Sequence, residues 1–475
     1  MPARVGKRAH SYETNHGPLI RRVVDSFGMY TTRRTSCARP TVCTVLVALA
    51  AVVPSRLGAQ QDDAAGRFVS LLGAQATAVL QHLAPFTAPY SGPNSLTHQG
   101  ATQSSISLGA YLGARVTSRL ELYLDAELLR GRAVGDGHGV AAIPNGDVVA
   151  PSPDAPLSSP FVARAFARYV IPLPGARQHV DPGIDQLPGM VPERRIELKL
   201  GKLAVTDDFD ANRYANNARA QFLNWGLFSN TAFDYAADTR GYAVGATAAY
   251  VAARWSLRAG RYLMPADGLG WRRELADSRS DIVQLSATPG PHRTSVRVFV
   301  FENRGSMSAY KEALAATPRS LDTVVRPDAR KRGAGVNIEQ PLSEHGNFGV
   351  LLRGGWNDGR TDGFATSEVD RHASVATQYR LRRWLPRHQD IVGFGLARHW
   401  LSEEHRAYLE AGGTGFFLGD GALTYTPETI VEGYYRAQVG SHLQFGPDVQ
   451  LVRHPGYNAT HGAAVLIAAR VHAEL

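Results

Sequence analysis

The chain has 475 residues, which is enough for two to three globular domains or for one large closed β structure. Nine of its 51 Lys and Arg residues, but two of its 42 acidic residues, lie in residues 1–60, so residues 61–475 carry a formal charge of +2 instead of the +9 of the whole chain. This nearly neutral body argues against nucleic-acid binding. Cys37 and Cys43 also lie in the first 60 residues, which excludes disulfides, thiolate zinc sites and a cysteine nucleophile from the rest.

The first 60 residues have the pattern of an export signal. The basic segment RRTSCARP precedes a short apolar run, TVCTVLVALAAVV, at residues 41–53, and small residues near Ala59 offer a cleavage site. We therefore predict a signal peptide within residues 1–60, with Met29 as a possible true start, and one exported domain over residues 61–475. No later stretch approaches the roughly 18–20 apolar residues of a membrane-spanning helix.

The first clear strand of the exported part is SRLELYLDAEL. Its apolar residues occupy the even positions 120–126 and its polar residues the odd positions 121–127. This period of two predicts a β-strand with one apolar and one polar face. Two long segments rich in Pro and Gly, 134–160 and 173–195, follow as predicted loops.

The segment Thr206–Tyr242, TDDFDANRYANNARAQFLNWGLFSNTAFDYAADTRGY, lies between two predicted strands. It combines five aspartates, three arginines and five asparagines with many aromatic residues. Its first three aspartates resemble an oxygen-rich cation loop, but the turn glycine and distal glutamate of an EF-hand are missing, so we predict no metal site. The candidate pore-lining or constriction residues are Asp207, Asp208, Asp210, Arg213, Arg219, Trp225, Asp234, Asp238 and Arg240.

The alternation continues to the end of the chain. Arginine and serine alternate with apolar residues over 254–259 in RWSLRAG, and SVRVFVFENR aligns Val296, Val298 and Val300. GVNIEQ and TIVEGYYRAQVG repeat the pattern. The charged segment 316–333, which lies between SVRVFVFENR and GVNIEQ, is predicted to be a loop. The final strand, HGAAVLIAARVHAEL, is apolar at every odd position from 463 to 475.

This pattern predicts an all-β protein, and alternation alone fits either a soluble sandwich or a membrane barrel. A membrane barrel directs its polar face into the lumen and its apolar face to lipid. The predicted signal peptide, the absence of cysteine from residues 61–475, the many strands and the aromatic residues near strand ends favour the barrel, and the long loops are consistent with it. At about 25 residues per strand and connection, the exported part predicts a transmembrane antiparallel β-barrel of roughly 16 strands.

Motifs for catalysis are weak. HWLSEEHRAYLE does not have the spacing of a helical zinc-protease motif, and GFFLGDG lacks the strand and helix that would surround a phosphate-binding loop. The chain contains no G-x-S-x-G nucleophile motif. We therefore predict that the protein is not an enzyme and has no catalytic residues, metal or cofactor.

Several segments in order resemble the carbohydrate-selective porin (OprB-like) family of bacterial outer membranes. The likeness runs from about residue 68 to 475. It is carried by APYSGPNSL, GKLAVTDDFDANRYANNARAQFLNWGLFSNTAFDYAADTRGY, RAYLEAGGTGFFLGDGALTYTPETIVEGYYRAQV and HPGYNATHGAAVLIAARVHAEL. One departure is the final residue, because such barrels usually end in an aromatic residue and this chain ends in Leu475.

The resemblance implies a monomeric or homotrimeric outer-membrane channel for passive diffusion of carbohydrates and other small hydrophilic solutes. Its partners would be those solutes, membrane lipid and the barrel-assembly machinery. Aromatic rings and asparagines in 206–242 would suit sugar C–H surfaces and hydroxyls, and mixed charges would tune a constriction. Two alternatives stay open: a divalent-cation (manganese) porin, favoured if the five aspartates converge, and an outer-membrane barrel enzyme or plugged structural barrel.

Overall fold

The computed structural model describes residues 69–148, 160–238, 240–264, 278–289, 293–365, 367–381 and 389–475. The predicted signal peptide, its cleavage site and Met29 lie outside the described residues. Within the described part, no helix has the length and apolar character needed to cross a membrane.

Sixteen antiparallel strands of the described part close into one barrel. They are β1 (Val69–Leu83), β2 (Ala101–Arg115), β3 (Leu120–Gly131), β4 (Phe161–Pro172), β7 (Arg195–Leu203), β8 (Ala243–Val251), β9 (Trp255–Leu263), β10 (Arg279–Ala287), β11 (Ser295–Ser308), β12 (Val325–Pro341), β13 (Phe348–Asn357), β14 (Arg371–Arg380), β15 (Ile391–Trp400), β16 (Glu428–Val439), β17 (Leu443–Arg453) and β18 (Ala464–Glu474). A separate two-stranded sheet pairs β5 (Arg177–Val180) with β6 (Gly189–Pro192). The predicted barrel and its strand number are confirmed.

Each barrel strand pairs with its neighbour along the sheet, and β18 returns to β1. Residues Gln75 to Leu83 of β1 face Glu474 to Leu466 of β18 in a continuous register. This closure leaves no open sheet edge, so every strand can satisfy its backbone groups within a membrane.

The two faces of the strands differ as the alternation predicts. On β3, Leu122 and Leu124 are 45% and 43% exposed on the outer face, whereas Glu121, Asp125 and Glu127 are buried on the inner face. The outer surface is therefore apolar along most strands, and the lumen is lined by polar groups that contact one another or inward-folded segments.

The two rims of the barrel carry different connections. Among the fully described connections, four turns of three to six residues, 116–119, 252–254, 342–347 and 440–442, lie at one rim, which we call the short-turn rim. The longer connections, such as 204–242 and 401–427, lie at the opposite long-loop rim. Four short helices belong to these long connections: α1 (Val205–Asp208), α2 (Trp225–Phe228), α3 (Tyr310–Ala315) and α4 (Glu403–Glu410).

Two loop predictions need correction. The predicted loop 316–333 is wrong in part, because β12 begins at Val325; its outward residues there are charged, which concealed the strand. The segment 173–195 contains the β5–β6 hairpin and lies at the short-turn rim, although long connections were expected at the opposite one.

Candidate functional site

The connection between β7 and β8, residues 204–242, folds into the barrel and is called the inward loop. Its asparagine side chains reach widely separated strands. Asn212 donates to Asn337 Oδ1 on β12 (2.7 Å), Asn224 to Gln450 Oε1 on β17 (3.0 Å), and Asn230 to the Gly354 carbonyl on β13 (3.0 Å). The loop therefore crosses the lumen and is held from several sides.

The five aspartates of the inward loop contact different cations of the barrel wall. Asp207 contacts Arg164 (2.6 Å), Asp208 contacts Lys199 (2.9 Å) and Arg258 (2.7 Å), Asp210 contacts Arg353 (2.9 Å), Asp234 contacts Lys331 (3.0 Å), and Asp238 contacts Lys202 (3.4 Å). These carboxylates do not converge, and the described residues contain no cluster of His, Cys, Asp and Glu suited to a metal ion. Their main structural effect is to attach the loop to the wall.

Two of the three arginines of the inward loop contact carboxylates outside the loop instead of its own aspartates. Arg219 donates to Glu127 on β3 and to Asp147, both at 2.7 Å. The Arg213 side chain is 55% exposed and lies 3.9 Å from Glu339. The mixed charges that the sequence places at a constriction therefore pair mainly between the inward loop and other segments of the barrel, and not within the loop.

A second segment, residues 132–148 after β3, also enters the lumen. The Pro144 carbonyl accepts hydrogen bonds from Gln81 on β1 (3.2 Å) and Gln450 on β17 (2.8 Å), and Asn145 donates to Ser105 on β2 (2.9 Å). Together with the inward loop, this segment fills the part of the lumen beside β1, β17 and β18.

A hairpin enters the lumen from the short-turn rim. The β5–β6 stem carries the tip 181–188, whose Leu187 is 1% exposed and donates its backbone N–H to the Tyr123 hydroxyl (3.3 Å). Asp185 contacts Arg164 on β4 at 3.2 Å, and Arg115 donates to the Pro188 carbonyl (3.4 Å). We call residues 181–188 the hairpin tip.

A cavity of about 510 Å³ remains between the inward loop, the segment 132–148 and the hairpin tip. Its lining combines carboxylates, cations, amides and aromatic rings. The lining residues include Asp185, Gln186, Asn216, Asn217, Arg219, Trp225, Tyr235, Asp238 and Tyr242. A water-accessible space with both charge signs and several flat rings suits a small polar solute.

The structure separates the nine candidate site residues into two groups. Asp207, Arg219, Trp225, Asp238 and Arg240 line the cavity. Asp208, Asp210, Arg213 and Asp234 do not line it; the three aspartates are buried in ion pairs with the wall, and Arg213 lies at the far side near Glu339.

Other residues at the cavity were not among the candidates. Glu127 and Lys199 occupy inner positions of β3 and β7, and Arg164 extends from β4. Strand alternation already placed Glu127 on the polar face, so it could have been chosen. Nothing in the sequence distinguishes Asp185 and Gln186, because insertion of the hairpin tip depends on tertiary packing.

Asp185 makes the hairpin tip sensitive to pH. Burial raises its pKa to about 7; Arg164 and Lys199 oppose this increase, while Asp125 and Asp207 add to it. In an undocked tip, the carboxyl would titrate near 3.8. Because the docked state holds the proton more tightly, docking is favoured at low pH and weakens as the pH rises from about 4 through 7.

We therefore expect lower single-channel conductance at pH 5 than at pH 8 in planar bilayers. The variant Asp185→Asn stays neutral at all pH values, so it should conduct at pH 8 as the wild type does at pH 5. A wild type with higher conductance at pH 5, or a variant that keeps the full pH response, would contradict this assignment.

Comparison with known proteins agrees with the geometry. The family model described as carbohydrate-selective porin, OprB family, matches residues 94–475. The high-pH structure of Pseudomonas putida OprB aligns with a TM-score of 0.63 at 13% identity, covering 86% of this chain and 94% of that chain.

Two further solved structures align less closely. The low-pH structure of P. putida OprB has a TM-score of 0.41 at 11% identity, over 86% of this chain and 92% of that one. The outer membrane channel DcaP of Acinetobacter baumannii has a TM-score of 0.45 at 9% identity, and the alignment covers 86% of this chain and 97% of that one. A search of curated proteins finds no match. Because the family model spans most of the sequence, the chain belongs to the OprB family of carbohydrate-selective porins and is a channel for small solutes in the bacterial outer membrane.

Proposed function

We propose that this porin passes carbohydrates by passive diffusion through the cavity beside the inward loop, without catalysis. The observation that carries the proposal is the composition of the lining. Asn216, Asn217 and Gln186 offer neutral donors and acceptors for hydroxyls, and Trp225 and Tyr235 offer flat apolar rings. The volume of about 510 Å³ falls within the roughly 300–1,000 Å³ of small-molecule sites.

The charges favour a neutral solute over a divalent cation. Asp207 and Asp238 at the cavity are paired with Arg164 and Lys202, so their fields are partly compensated. The remaining aspartates of the inward loop are occupied by other cations of the wall. A manganese pathway would require carboxylates that face one another without a cation between them. Three carboxylates that gather beside the described cavity are arranged around the Arg164 guanidinium instead, those of Asp125, Asp185 and Asp207.

Three finer features also belong to this proposal. Residues 61–475 would form the exported domain after removal of the signal peptide. The barrel-assembly machinery would insert it, with Leu475 in the place of the usual terminal aromatic residue. The barrel would work as a monomer or a homotrimer, and each barrel would hold its own cavity.

The test is single-channel conductance in planar bilayers, with block by maltodextrins and then by Mn²⁺. We expect sugar to reduce the open-channel current. Tyr235→Ala removes a ring from the lining and should weaken sugar block about three- to tenfold, since an aromatic contact contributes about 0.5–1.5 kcal/mol.

Tyr235→Phe is the matched control and should retain most of the block, because it keeps the ring. If sugar blocks both variants as strongly as it blocks the wild type, the sugar does not contact this cavity. A channel that ignores sugar but selects strongly for cations would support the manganese pathway, and a folded barrel without conducting steps would indicate a plugged lumen.

A further inference from the structure

The outer surface of β9–β12 changes from apolar to basic toward the long-loop rim. Nearer the short-turn rim its outward residues include Val283, Val298 and Val300, which are 45–53% exposed. Farther along the same faces lie five arginines, which we call the arginine belt. They are Arg261, Arg279, Arg304, Arg330 and Arg332.

The strand register places like charges opposite one another in the arginine belt. Arg279 of β10 faces Arg304 of β11, and Arg304 faces Arg330 of β12. Like charges at directly opposed positions destabilise a sheet. Three successive cross-strand arginines on a surface beside lipid therefore need negative charge to compensate them.

Carboxylates at the next outward-facing positions of β10 and β11 supply part of that negative charge. Asp281 accepts hydrogen bonds from Arg261 (2.5 Å) and Arg279 (2.9 Å), and Glu302 accepts from Arg332 (2.6 Å). Arg330 lies 3.8 Å from the same Glu302. Two carboxylates are thus shared among four arginines.

Arg304 is the fifth member and differs from the others. Its Nε is enclosed and has no hydrogen-bond partner in the described part of the chain. The Arg304 side chain as a whole is partly exposed, and its charge lies directly opposite two other arginines. An anion at the surface beside Arg304 would compensate that charge. The side chains of Arg330 and Arg332 are 54% and 62% exposed and would contact the same anion.

The surroundings define what kind of anion fits. Arginine binds phosphate through paired N–H groups more effectively than a compact ammonium does. Below the belt, the exposed valines offer an apolar surface for acyl chains. The belt lies toward the long-loop rim, which in outer-membrane barrels faces the exterior. A ligand that joins phosphate to acyl chains at this level is a phosphorylated glycolipid of the outer leaflet.

We propose that the arginine belt on β9–β12 is a binding site for the phosphate groups of an outer-leaflet phosphorylated glycolipid. The glycolipid places its phosphates between Arg304, Arg330 and Arg332 and its acyl chains against the valines below. The site is separate from the solute cavity, because the belt lies on the opposite face of the sheet.

The test compares the wild type with Arg304→Gln/Arg330→Gln after purification from outer membranes in mild detergent. Lipopolysaccharide retained per barrel is quantified by native mass spectrometry, and purified lipopolysaccharide is then titrated back. We expect the variant to bind about tenfold more weakly, because each solvent-exposed arginine–phosphate contact contributes about threefold.

The matched control is Arg119→Gln/Arg254→Gln, which removes two exposed arginines from turns at the short-turn rim and should bind like the wild type. Heat-modifiable mobility and unchanged conductance establish that both variants fold. Equal binding by all three proteins would overturn the proposal, as would equally tight binding of dephosphorylated lipopolysaccharide. A changed oligomeric mass with unchanged lipid binding would instead identify the belt as a subunit contact.

Discussion

Replacing Arg353 with methionine should release the inward loop and produce a larger, less selective channel. The Arg353 side chain is completely buried on β13, with its Nε 2.9 Å from Asp210 Oδ2. Its two Nη atoms donate to the backbone carbonyls of Leu227 (3.0 Å), Ala215 (2.7 Å) and Asp210 (3.1 Å). One guanidinium therefore connects the wall to three separate points of the loop.

The large expected effect of Arg353→Met follows from the buried Asp210 carboxylate that the substitution leaves without a cation. Removing one partner of a buried ion pair typically costs about 3–5 kcal/mol, because the other charge stays buried without compensation. The Asp210 carboxylate would lose its cation and three backbone carbonyls would lose their donor. The loop can avoid this cost by leaving the wall. The barrel strands themselves keep their backbone ladder, so the barrel should still form.

The measurements are single-channel conductance and limited proteolysis of the folded barrel. We expect conductance to rise about two- to threefold, sugar block to weaken, and new cleavage within 204–242 to appear, as expected of a segment that opens locally. Arg353→Lys keeps the positive charge but loses the planar guanidinium, so its conductance and proteolysis should lie between those of the wild type and of Arg353→Met. The control, Arg398→Met, removes an arginine from the outward face of β15. Unchanged conductance and proteolysis in a folded Arg353→Met barrel would show that the loop is held by its other contacts.

Shortening the hairpin tip should open the cavity toward the short-turn rim. Ile184, Asp185 and Gln186 form part of the cavity lining, and Leu187 packs with Tyr123 and Phe166 on the wall. Replacing residues 181–188 by Asn-Gly would join β5 to β6 through a two-residue turn, which this dipeptide favours. The stem could then form without entering the lumen.

We expect this variant to conduct about twofold more than the wild type at pH 5 and to lose the pH dependence assigned to Asp185. A stem variant, Arg177→Gln/His179→Gln, changes exposed residues and leaves the tip in place, so it should conduct like the wild type. If the shortened barrel folds and conducts like the wild type, the tip does not limit the path. A loss of conductance would mean that the tip holds the inward loop open instead of narrowing the channel.

The barrel was predictable because it depends on local alternation. Val296, Val298 and Val300 lie on the outward face of β11, and Asn337 and Glu339 lie on the inward face of β12, as their spacing indicates. A two-residue period fixes which face each side chain occupies, whatever its partner strand. The alternation failed at the start of β12, where Arg330 and Arg332 point outward and a loop was predicted.

The site was less predictable because its contacts join distant parts of the chain. The sequence marked Asp210 and Asp234 as prominent, but their buried partners are Arg353 and Lys331, more than 90 residues away. Which aspartate meets which cation depends on the barrel register and on the path of the loop. The hairpin tip has no comparable signal, since its sequence would suit an exposed turn equally well.

The reach of the inward loop has a consequence for the order of folding. Its backbone donates to Glu432 on β16, and the carbonyls of Ala218 and Ala220 accept from Arg470 on β18 and Arg436 on β16. These partners follow the loop by more than 200 residues, so the contacts require closure of a very long chain segment. The loop cannot complete them until the last strands have been made and positioned, and the central obstruction of the pore is therefore completed only with the closing of the barrel wall.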